Sequence, residues 1–318
     1  MKRLAVWGLA LTLGVSLGTV GPAHAGSTVY STDEGAGTVS IIDVDKGVVA
    51  GRIEAGDKPR GAAITPDGRT MYVSDQPNNA LVVIDLEQKK RTSSILLSSS
   101  PEGVAISEDG KWIVVANEEA NTVSFIDTAD NTEKFQVATQ GENPERAKFS
   151  PDGKWLYVTA ENGAEVDVID MAARKSVKLV AVGLHPRDIA FSTDGRRVFV
   201  ACQDSDFLAV LDAASHAPLA QVPYRKGGVG LAINPDGKSI YLSNRLDNTI
   251  TIFNAQSLKK LAEIKAGKRP WNMATTRDGK KLFVANGKSS TVTIIDTTTN
   301  TVASEVPVGA TPWGVFLR

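Results

Sequence analysis

Three sets of residues recur along this sequence every 42 or 43 residues, and this interval constrains the fold more than any other feature. An Asp-Gly pair recurs at Asp67, Asp109, Asp152, Asp194, Asp236 and Asp278. A second set, usually Ile-Asp, falls at Asp43, Asp85, Asp127, Asp170, Asp212, Asn254 and Asp296. A third set, usually proline, falls at Pro59, Pro101, Pro144, Pro186, Gly228, Pro270 and Pro312. Because the three sets agree in phase, the sequence predicts seven copies of one structural unit.

Each repeat contains four short β-strand signals, as the third copy illustrates. An apolar run at 103–107 ends at the turn formed by Asp109 and Gly110, residue types that suit turn geometry. β-Branched residues dominate 112–116, and strand-like alternation follows at 122–126 and at 133–137. No segment of the repeats keeps a 3.6-residue helical period. Four antiparallel strands in seven copies predict an all-β, seven-bladed β-propeller.

The two ends of the repeat region complement each other. Residues 29–31 match the second strand of a repeat, and residues 312–317 match a first strand. The C-terminal strand should therefore complete the N-terminal blade and close the ring, which leaves no open sheet edge. The predicted domain is a single propeller over residues 26–318.

Residues 1–25 have the features of a secretory signal peptide. Lys2 and Arg3 precede an apolar stretch at 4–20, and Ala23-His24-Ala25 gives the small-x-small cleavage pattern. We expect cleavage after Ala25 and a periplasmic protein with a net charge of −3. An uncleaved membrane anchor is the alternative, which the glycines of this stretch disfavour.

Composition and missing motifs exclude several classes of function. The chain has 35 Lys+Arg against 36 Asp+Glu, so bulk charge does not favour nucleic-acid binding. Cys202 is the single cysteine, and only His185 and His216 remain after residue 25, too few for a three-histidine metal site. Haem-attachment, Gly-x-Ser-x-Gly and phosphate-loop motifs are missing from the sequence. We therefore expect no metal and no sequence-visible catalytic constellation.

The repeat consensus runs Pro-x-Gly-x-Ala-x-Ser-Pro-Asp-Gly-Lys-x-x-Tyr-Val, and then Val-x-Val-Ile-Asp, as in 59–85 and 144–170. It resembles the YVTN-repeat β-propeller family over nearly all of the chain after residue 25. Lys58–Gly61, Ala116–Glu119, Arg269–Trp271 and Pro312–Gly314 further resemble the seven-repeat propellers associated with PQQ-dependent alcohol catabolism. Gly228, where the other repeats have proline, departs from that pattern. The resemblance implies a propeller fold and a periplasmic context rather than a particular reaction.

Positions that vary between repeats are the candidate binding residues, because a repeat fold keeps its scaffold positions alike. Directly after the proline set come Arg60, Glu102, Glu145, Arg187, Val229, Trp271 and Trp313. A second variable set near the end of each second strand is Asp33, Asp75, Asn117, Ala160, Cys202, Asn244 and Asn286, with Arg245 beside Asn244. We expect both sets to surround the channel mouth, the opening of the central channel on the face opposite the Asp-Gly turns.

Two pairs within these sets, and a third pair with one member in them, suggest chemistry, and each has a structural alternative. Trp271 and Trp313 fall in adjacent blades with Arg60 next, which suits a planar or anionic small molecule. The alternative is that both rings only pack against neighbouring blades, and it has the greater weight because aromatic residues are common in cores. Glu102 and Glu145 form a glycosidase-like carboxylate pair, but nothing in the sequence raises their pKa.

His185 and Cys202 also fall in one blade, at the start of its first strand and the end of its second. Such a placement allows a thiolate–imidazole pair. The alternative is a buried, inert cysteine beside an incidental histidine, and it has the greater weight because free cysteines usually behave as small apolar residues.

The leading functional expectation is an exported, non-catalytic binding or scaffold propeller. It would act as a monomer beside a periplasmic redox or transport system, with no cofactor of its own, and PQQ or another small molecule would bind at the mouth. The first alternative is a propeller enzyme or enzyme subunit, similar to lactonases or the large subunit of amine dehydrogenases. The second is single-stranded DNA binding by a basic rim with two tryptophans as stacking platforms. That rim would comprise Lys58, Arg60, Arg187, Arg225, Arg245, Lys268 and Arg269.

Overall fold

Twenty-eight β-strands make up almost all of the computed structural model, which describes residues 28–317. The predicted signal peptide at 1–25 lies outside the described residues. The first strands are β1 (Thr28–Asp33), β2 (Thr38–Asp43), β3 (Val48–Glu54), β4 (Pro59–Ile64), β5 (Thr70–Asp75), β6 (Ala80–Asp85) and β7 (Lys90–Leu96). They are followed by β8 (Pro101–Ile106), β9 (Trp112–Asn117), β10 (Thr122–Asp127), β11 (Thr132–Ala138), β12 (Pro144–Phe149), β13 (Trp155–Ala160), β14 (Glu165–Asp170) and β15 (Lys175–Ala181).

The second half of the chain continues the same pattern. Its strands are β16 (Pro186–Phe191), β17 (Arg197–Cys202), β18 (Phe207–Asp212), β19 (Pro218–Pro223), β20 (Gly228–Ile233), β21 (Ser239–Asn244) and β22 (Thr249–Asn254). The last are β23 (Lys260–Lys265), β24 (Pro270–Thr275), β25 (Lys281–Asn286), β26 (Thr291–Asp296), β27 (Thr301–Pro307) and β28 (Pro312–Leu317). The only helical element of the described residues is a 3-10 turn at Gln76–Asn78. No helix within these residues is long and apolar enough to cross a bilayer.

The strands form seven antiparallel sheets of four strands each, which confirms the predicted seven-bladed propeller. Blade 1 combines β28 with β1–β3, and blades 2 to 7 each take the next four strands, from β4–β7 to β24–β27. The closing strand pairs as expected, since Val29 lies opposite Leu317 and Ser31 opposite Val315. The innermost strands β28, β4, β8, β12, β16, β20 and β24 contact one another around the central channel.

The core lies between the blades rather than within them. The two middle strands of each blade are buried on both faces, which explains their continuous apolar sequences, whereas the outermost strand is half exposed. Large rings such as Tyr157 and Phe199 pack against the next blade and are fully buried. Because each blade has two such faces, the ring must close for all of them to be covered.

The Asp-Gly turns lie on the face opposite the channel mouth and are structural. Asp109 Oδ1 accepts the backbone N–H of Lys111 at 3.0 Å and the Ser107 hydroxyl at 2.6 Å, and Gly110 has a φ of 72°. All the equivalent turns repeat the backbone bond, and all except the turn at Asp236 repeat the hydroxyl bond. A positive φ suits glycine, so the pair is selected by the turn itself.

Candidate functional site: the channel mouth

A β-bulge at the start of each innermost strand presents one residue to the channel mouth. In blade 4, Pro144 pairs with Ala160 and Ala147 pairs with Val158, so Glu145 and Arg146 share a single partner position. The hydroxyl of that partner, Thr159, accepts the Arg146 backbone N–H at 2.9 Å. Bulges redirect side chains and interrupt pairing. In every blade, the residue after the proline (after Gly228 in blade 6) is therefore left out of the strand pairing.

Hydroxyl side chains on the second strands fix the backbone of the mouth residues. Thr32 donates to the carbonyl oxygen of Arg60 at 2.8 Å, and Ser74 donates to that of Glu102 at 2.6 Å. Ser243 donates to the carbonyl oxygen of Trp271 at 2.7 Å. Each bond joins one blade to the next. This set of hydroxyl residues was not predicted from the sequence, although each member lies one residue before the variable polar set.

The seven mouth residues divide into two contrasting arcs. Around the ring, blades 2 to 5 contribute the charged arc, which we define as Arg60, Glu102, Glu145 and Arg187. Blades 6, 7 and 1 contribute the apolar arc, which we define as Val229, Trp271 and Trp313. Between the arcs is a cavity of about 420 Å³, within the size range of small-molecule sites. Its lining is Glu34, Gly35, Lys58, Arg60, Glu102, Glu118, Glu145, Arg187, Arg269, Trp271, Thr311 and Trp313.

Arg60 and Arg187 hold the charged arc together through ion pairs between blades. Arg60 Nη2 lies 3.0 Å from Glu34, and Arg60 Nη1 contacts Glu102 of the next blade. Arg187 also forms two ion pairs, both with glutamates of the preceding blade.

Arg187 Nη2 lies 2.7 Å from Glu161, and its Nη1 contacts Glu145. Its Nε donates to Gln203 at 3.1 Å. Both guanidinium groups are therefore fixed in place, and each has a buried carboxyl group on the side facing the middle of the arc.

The two central carboxyl groups favour their neutral forms. Burial raises the pKa of Glu145 to about 8; Arg187 opposes this shift, and the nearby Glu161 carboxylate adds to it. Burial likewise raises the pKa of Glu102 well above its usual range, with Arg60 opposing. Glu145 is 6% exposed and Glu102 2% exposed, so neither charge is well solvated. The raised pKa of these two glutamates arises only in the folded protein, because burial is its main cause.

The apolar arc is packed and nearly closed to solvent. Trp271 and Trp313 are 9% and 5% exposed and contact Val229 and Phe316. The guanidinium of Arg269 lies over the Trp271 ring at 4.6 Å from its centroid. Both tryptophans thus line the cavity and pack between blades at once, combining the two interpretations of the sequence. Whether a ligand stacks there stays a prediction.

Two cavity-lining cations have no acidic partner. Among residues 28–317, the side chains of Arg269 and Lys58 form no ion pair, whereas Arg60 and Arg187 form two each. Burial lowers the pKa of the Arg269 guanidinium, and the positive charges of Arg245, Arg60 and Arg187 lower it further. Four lining cations face four lining carboxyl groups, of which two favour the neutral form. The cavity is therefore net positive near neutral pH.

The second variable set does not reach the channel mouth. Asp75, Asn117, Asn244 and Asn286 are at most 1% exposed, and none of them lines the cavity. Their side chains bond nearby chain segments instead. Asp75 Oδ1 accepts the backbone N–H groups of the incoming loop at 3.0 and 3.1 Å, and Asn244 Oδ1 accepts two N–H groups of the following turn at 2.9 and 3.0 Å.

Asn117 and Asn286 bond across to the third strand, each donating to a hydroxyl seven residues ahead. The expectation that this set surrounds the mouth is thus corrected, because these side chains fold back under the loops they stabilise. Arg245 also lies outside the cavity lining, close enough to Arg269 to affect its pKa.

The residues that do reach the mouth lie one position later in the sequence. Glu34, Glu118 and Glu161 directly follow the second variable set, and the first two line the cavity while Glu161 pairs with Arg187. They are the first turn residues after the second strand, so their side chains are partly exposed while the last strand residue before each of them is buried. Three glutamates at equivalent positions in three repeats were the sequence signal that could have identified them.

Neither Cys202 nor His185 and His216, the histidines within the described residues, form a reactive site. Burial raises the pKa of the Cys202 thiol to about 12, and His185 contacts Asp204 rather than the thiol. His216 bonds the hydroxyl of Tyr157 at 2.5 Å in a structural contact. Within residues 28–317, no group of three or more His, Cys, Asp or Glu side chains has the arrangement of a metal site.

A second cavity lies on the opposite face, between the Asp-Gly turns of blades 3 and 4. Its volume is about 530 Å³, and Trp112, Phe149 and Met171 form its apolar part. None of the predicted site residues lines it. The convergence of charged groups therefore favours the channel mouth as the functional site.

Comparison with protein families supports a propeller family. The chain matches the cytochrome D1 heme domain over residues 115–230 and the seven-bladed β-propeller lactonases over 212–305. It matches the SMP-30/gluconolactonase/LRE-like region over 17–162. Each match covers less than half of the chain. The curated proteins contain no match.

Solved structures show the same fold at low identity. Hydrazine synthase of Kuenenia stuttgartiensis aligns with a TM-score of 0.79 at 23% identity, over 89% of this chain and 99% of that chain. A putative 6-phosphogluconolactonase from Bacteroides fragilis aligns at 0.78 and 18%, over 94% and 100%. The dihydro-heme d1 dehydrogenase NirN aligns at 0.70 and 16%, over 91% and 74%. These identities establish the seven-bladed fold class alone.

The matches to haem proteins raise the question of whether the mouth fits a haem. The lining residues include cations that would pair with the carboxylate groups of a haem, but they include no histidine, cysteine or methionine to ligate its iron. The residues do not fit a ligated haem. The comparisons favour the enzyme alternative over a non-catalytic scaffold beside a PQQ-dependent system.

Proposed function

We propose that this chain is a propeller enzyme that hydrolyses a small anionic lactone at the channel mouth. The observation that carries the proposal is Glu145, a buried carboxyl group with a pKa of about 8 that lines an open, net positive cavity. Perturbed carboxyl groups in clefts are typical of acid–base catalysts. The matches to lactonase and gluconolactonase sequences support the choice of substrate class.

The two central carboxyl groups would take different parts in the reaction. In its ionised form Glu145 accepts a proton from a water molecule as the water oxygen attacks the lactone carbonyl carbon. Glu102, kept neutral by burial, donates a hydrogen bond to the carbonyl oxygen as negative charge develops there. The ring C–O bond then breaks, and the leaving oxygen takes the proton from Glu145 to give a hydroxy acid.

The unpaired cations would select the substrate. Arg269 and Lys58 lie at the cavity with no carboxylate to neutralise them among the described residues, so a phosphate or carboxylate group of the substrate supplies the missing charge. The Trp271 ring beneath Arg269 fixes the guanidinium plane. An anionic substituent docked there leaves the lactone ring free to lie against the charged arc.

Hydrolysis of gluconolactone and 6-phosphogluconolactone, corrected for their spontaneous rates, tests the proposal. Glu145→Gln should lower kcat about 100-fold or more, the range expected for loss of a general base. Glu108→Gln, at the cavity on the opposite face, is the matched control and should keep full activity. Full activity in Glu145→Gln, or no turnover above the spontaneous rate in the unaltered protein, would refute it.

Export, oligomeric state and family subgroup belong to the same proposal. We propose a periplasmic monomer of YVTN type that works without a cofactor, after removal of residues 1–25. N-terminal sequencing of the periplasmic product should begin at Gly26. Thermal-shift assays with PQQ test the PQQ-related subgroup, since a ligand that binds only the folded form raises Tm.

A further inference from the structure

Two cations that the proposed reaction does not use lie along the central channel, deeper than the mouth. Arg146 and Lys148 are one and three residues beyond Glu145 on β12, the innermost strand of blade 4. Residues two apart on a strand point to the same face, with Cα atoms about 6.6 Å apart. Both side chains therefore extend from one strand toward the same region.

The other blades have small or uncharged side chains at most of these positions. The residues equivalent to Arg146 are Gly61, Gly103, Asp188, Gly230, Asn272 and Gly314. The residues equivalent to Lys148 are Ala63, Ala105, Ala190, Ala232, Ala274 and Phe316. The glycines are required by close approach, since a Cβ on Gly61 would lie 2.3 Å from the Glu102 carbonyl oxygen. The pair of cations is thus particular to blade 4 rather than a requirement of the fold.

Arg146 is held rigidly with part of its guanidinium group open. Its plane lies over the Trp313 ring, contributed by blade 1, at 4.7 Å from the centroid. Its Nε lies 3.2 Å from Asp188 Oδ1, and Asp188 is itself fixed by the backbone N–H groups of Ile189 and Leu231, each at 2.9 Å. Within residues 28–317, neither Nη1 nor Nη2 of Arg146 forms a hydrogen bond, which leaves both free to bind a ligand.

Lys148 forms no hydrogen bond or ion pair among the described residues. Its side chain is exposed although β12 is an innermost strand, and burial nonetheless lowers the pKa of Lys148, with Asp188 opposing and Arg146 adding to the shift. A side chain inside a water-filled channel satisfies both observations. Asp188 acts on both cations, and Arg146 also acts on the Glu145 carboxyl group, which favours its neutral form. The region therefore carries an uncompensated positive charge.

We propose that the channel contains a small-oxyanion site between Arg146 and Lys148. The free Nη groups offer the two parallel N–H donors that carboxylates and tetrahedral oxyanions bind, and the Lys148 ammonium supplies a point charge beside them. An anion there would neutralise the uncompensated charge, which is costly in an enclosed region. This site adjoins Glu145 and Trp313, but neither Arg146 nor Lys148 has a part in the reaction proposed above.

The test uses selenate as the probe, because selenium gives an anomalous X-ray signal. Crystals of the protein without residues 1–25 are soaked in selenate, and binding in solution is measured by titration calorimetry. Lys148→Ala restores the alanine that five other blades have at this position, so the fold should tolerate it. Lys90→Ala, on the outermost strand β7, is the matched control.

The expected result is an anomalous peak between Arg146 and Lys148 that Lys148→Ala removes. Selenate affinity should fall about tenfold or more in Lys148→Ala, as for a lost charge-assisted hydrogen bond, and stay unchanged in Lys90→Ala. A peak found only beside Arg269 and Lys58, or no peak, would overturn the proposal. Equal affinity in Lys148→Ala would overturn it as well. None of these outcomes depends on lactone turnover, so the two proposals can fail separately.

Discussion

The charged arc and the apolar arc of the channel mouth occupy the same position of the same repeat, yet they are stabilised in opposite ways. In the charged arc, two arginines pair with carboxyl groups of neighbouring blades. In the apolar arc, Val229 and the two tryptophans pack together with little solvent contact. The common bulge presents one side chain per blade, and the hydroxyl bonds hold only its backbone. The scaffold therefore leaves the identity of the mouth residue open, and this is where the repeats diverge.

The largest expected effect concerns the apolar arc. Trp271→Ala removes a ring that is 9% exposed and should lower the free energy of unfolding by about 3–5 kcal/mol, the usual cost of a large-to-small core change. Denaturant unfolding measures this loss, which should be the same at pH 5 and pH 8. Leu261→Ala, an exposed leucine of the outermost strand β23, should change it by less than about 0.5 kcal/mol. A loss in Trp271→Ala as small as the control's would show that this arc is not packed.

The charged arc should instead make stability depend on pH. Since burial raises the pKa of Glu145 from 4.5 to about 8, the folded protein binds a proton across this interval that the unfolded chain has released. The free energy of unfolding should therefore fall as pH rises through this interval. The expected fall is a few kcal/mol, because each unit of pKa shift corresponds to about 1.4 kcal/mol.

Comparing thermal or denaturant unfolding at pH 5 and pH 8 measures this dependence. Glu145→Gln should reduce this dependence with little loss of stability at pH 5, because glutamine resembles the neutral acid, and should leave the part that arises from the raised pKa of Glu102. Trp271→Ala should keep the slope of the unaltered protein. If Glu145→Gln keeps the slope too, the titrating group lies elsewhere and the contrast between the arcs loses its electrostatic basis.

The smallest effect tests what the two arcs share. Ser74→Ala removes the 2.6 Å hydrogen bond to the Glu102 carbonyl oxygen and should cost about 1 kcal/mol. Ser304→Ala, on the exposed outermost strand β27, should cost almost nothing. Equal effects in the two variants would mean that the hydroxyl bonds between blades do not hold the mouth residues.

The fold was predictable from the sequence because the repeat interval, the turn residues and the complementary ends all point to one ring. The residues after the proline set were also predicted to reach the mouth, because the first strand of each repeat was predicted to be the innermost one. The polar set ending in Asn286 was placed at the mouth although it lies beneath the loops, because the second strand stays buried up to its last residue and only the turn after it is exposed. The raised pKa of Glu145 was out of reach, because it arises from burial and from Glu161, which lies 16 residues away in sequence.

The preference between a charged and a neutral lactone tests the central claim most directly. We predict that kcat/KM for 6-phosphogluconolactone exceeds that for gluconolactone by about tenfold or more. Arg269→Gln should remove most of this preference by raising KM for the phosphorylated substrate. Lys268→Gln, the neighbouring lysine outside the cavity lining, should retain it. Equal kcat/KM values for both lactones in the unaltered protein would contradict the claim that the mouth is a site for anionic substrates.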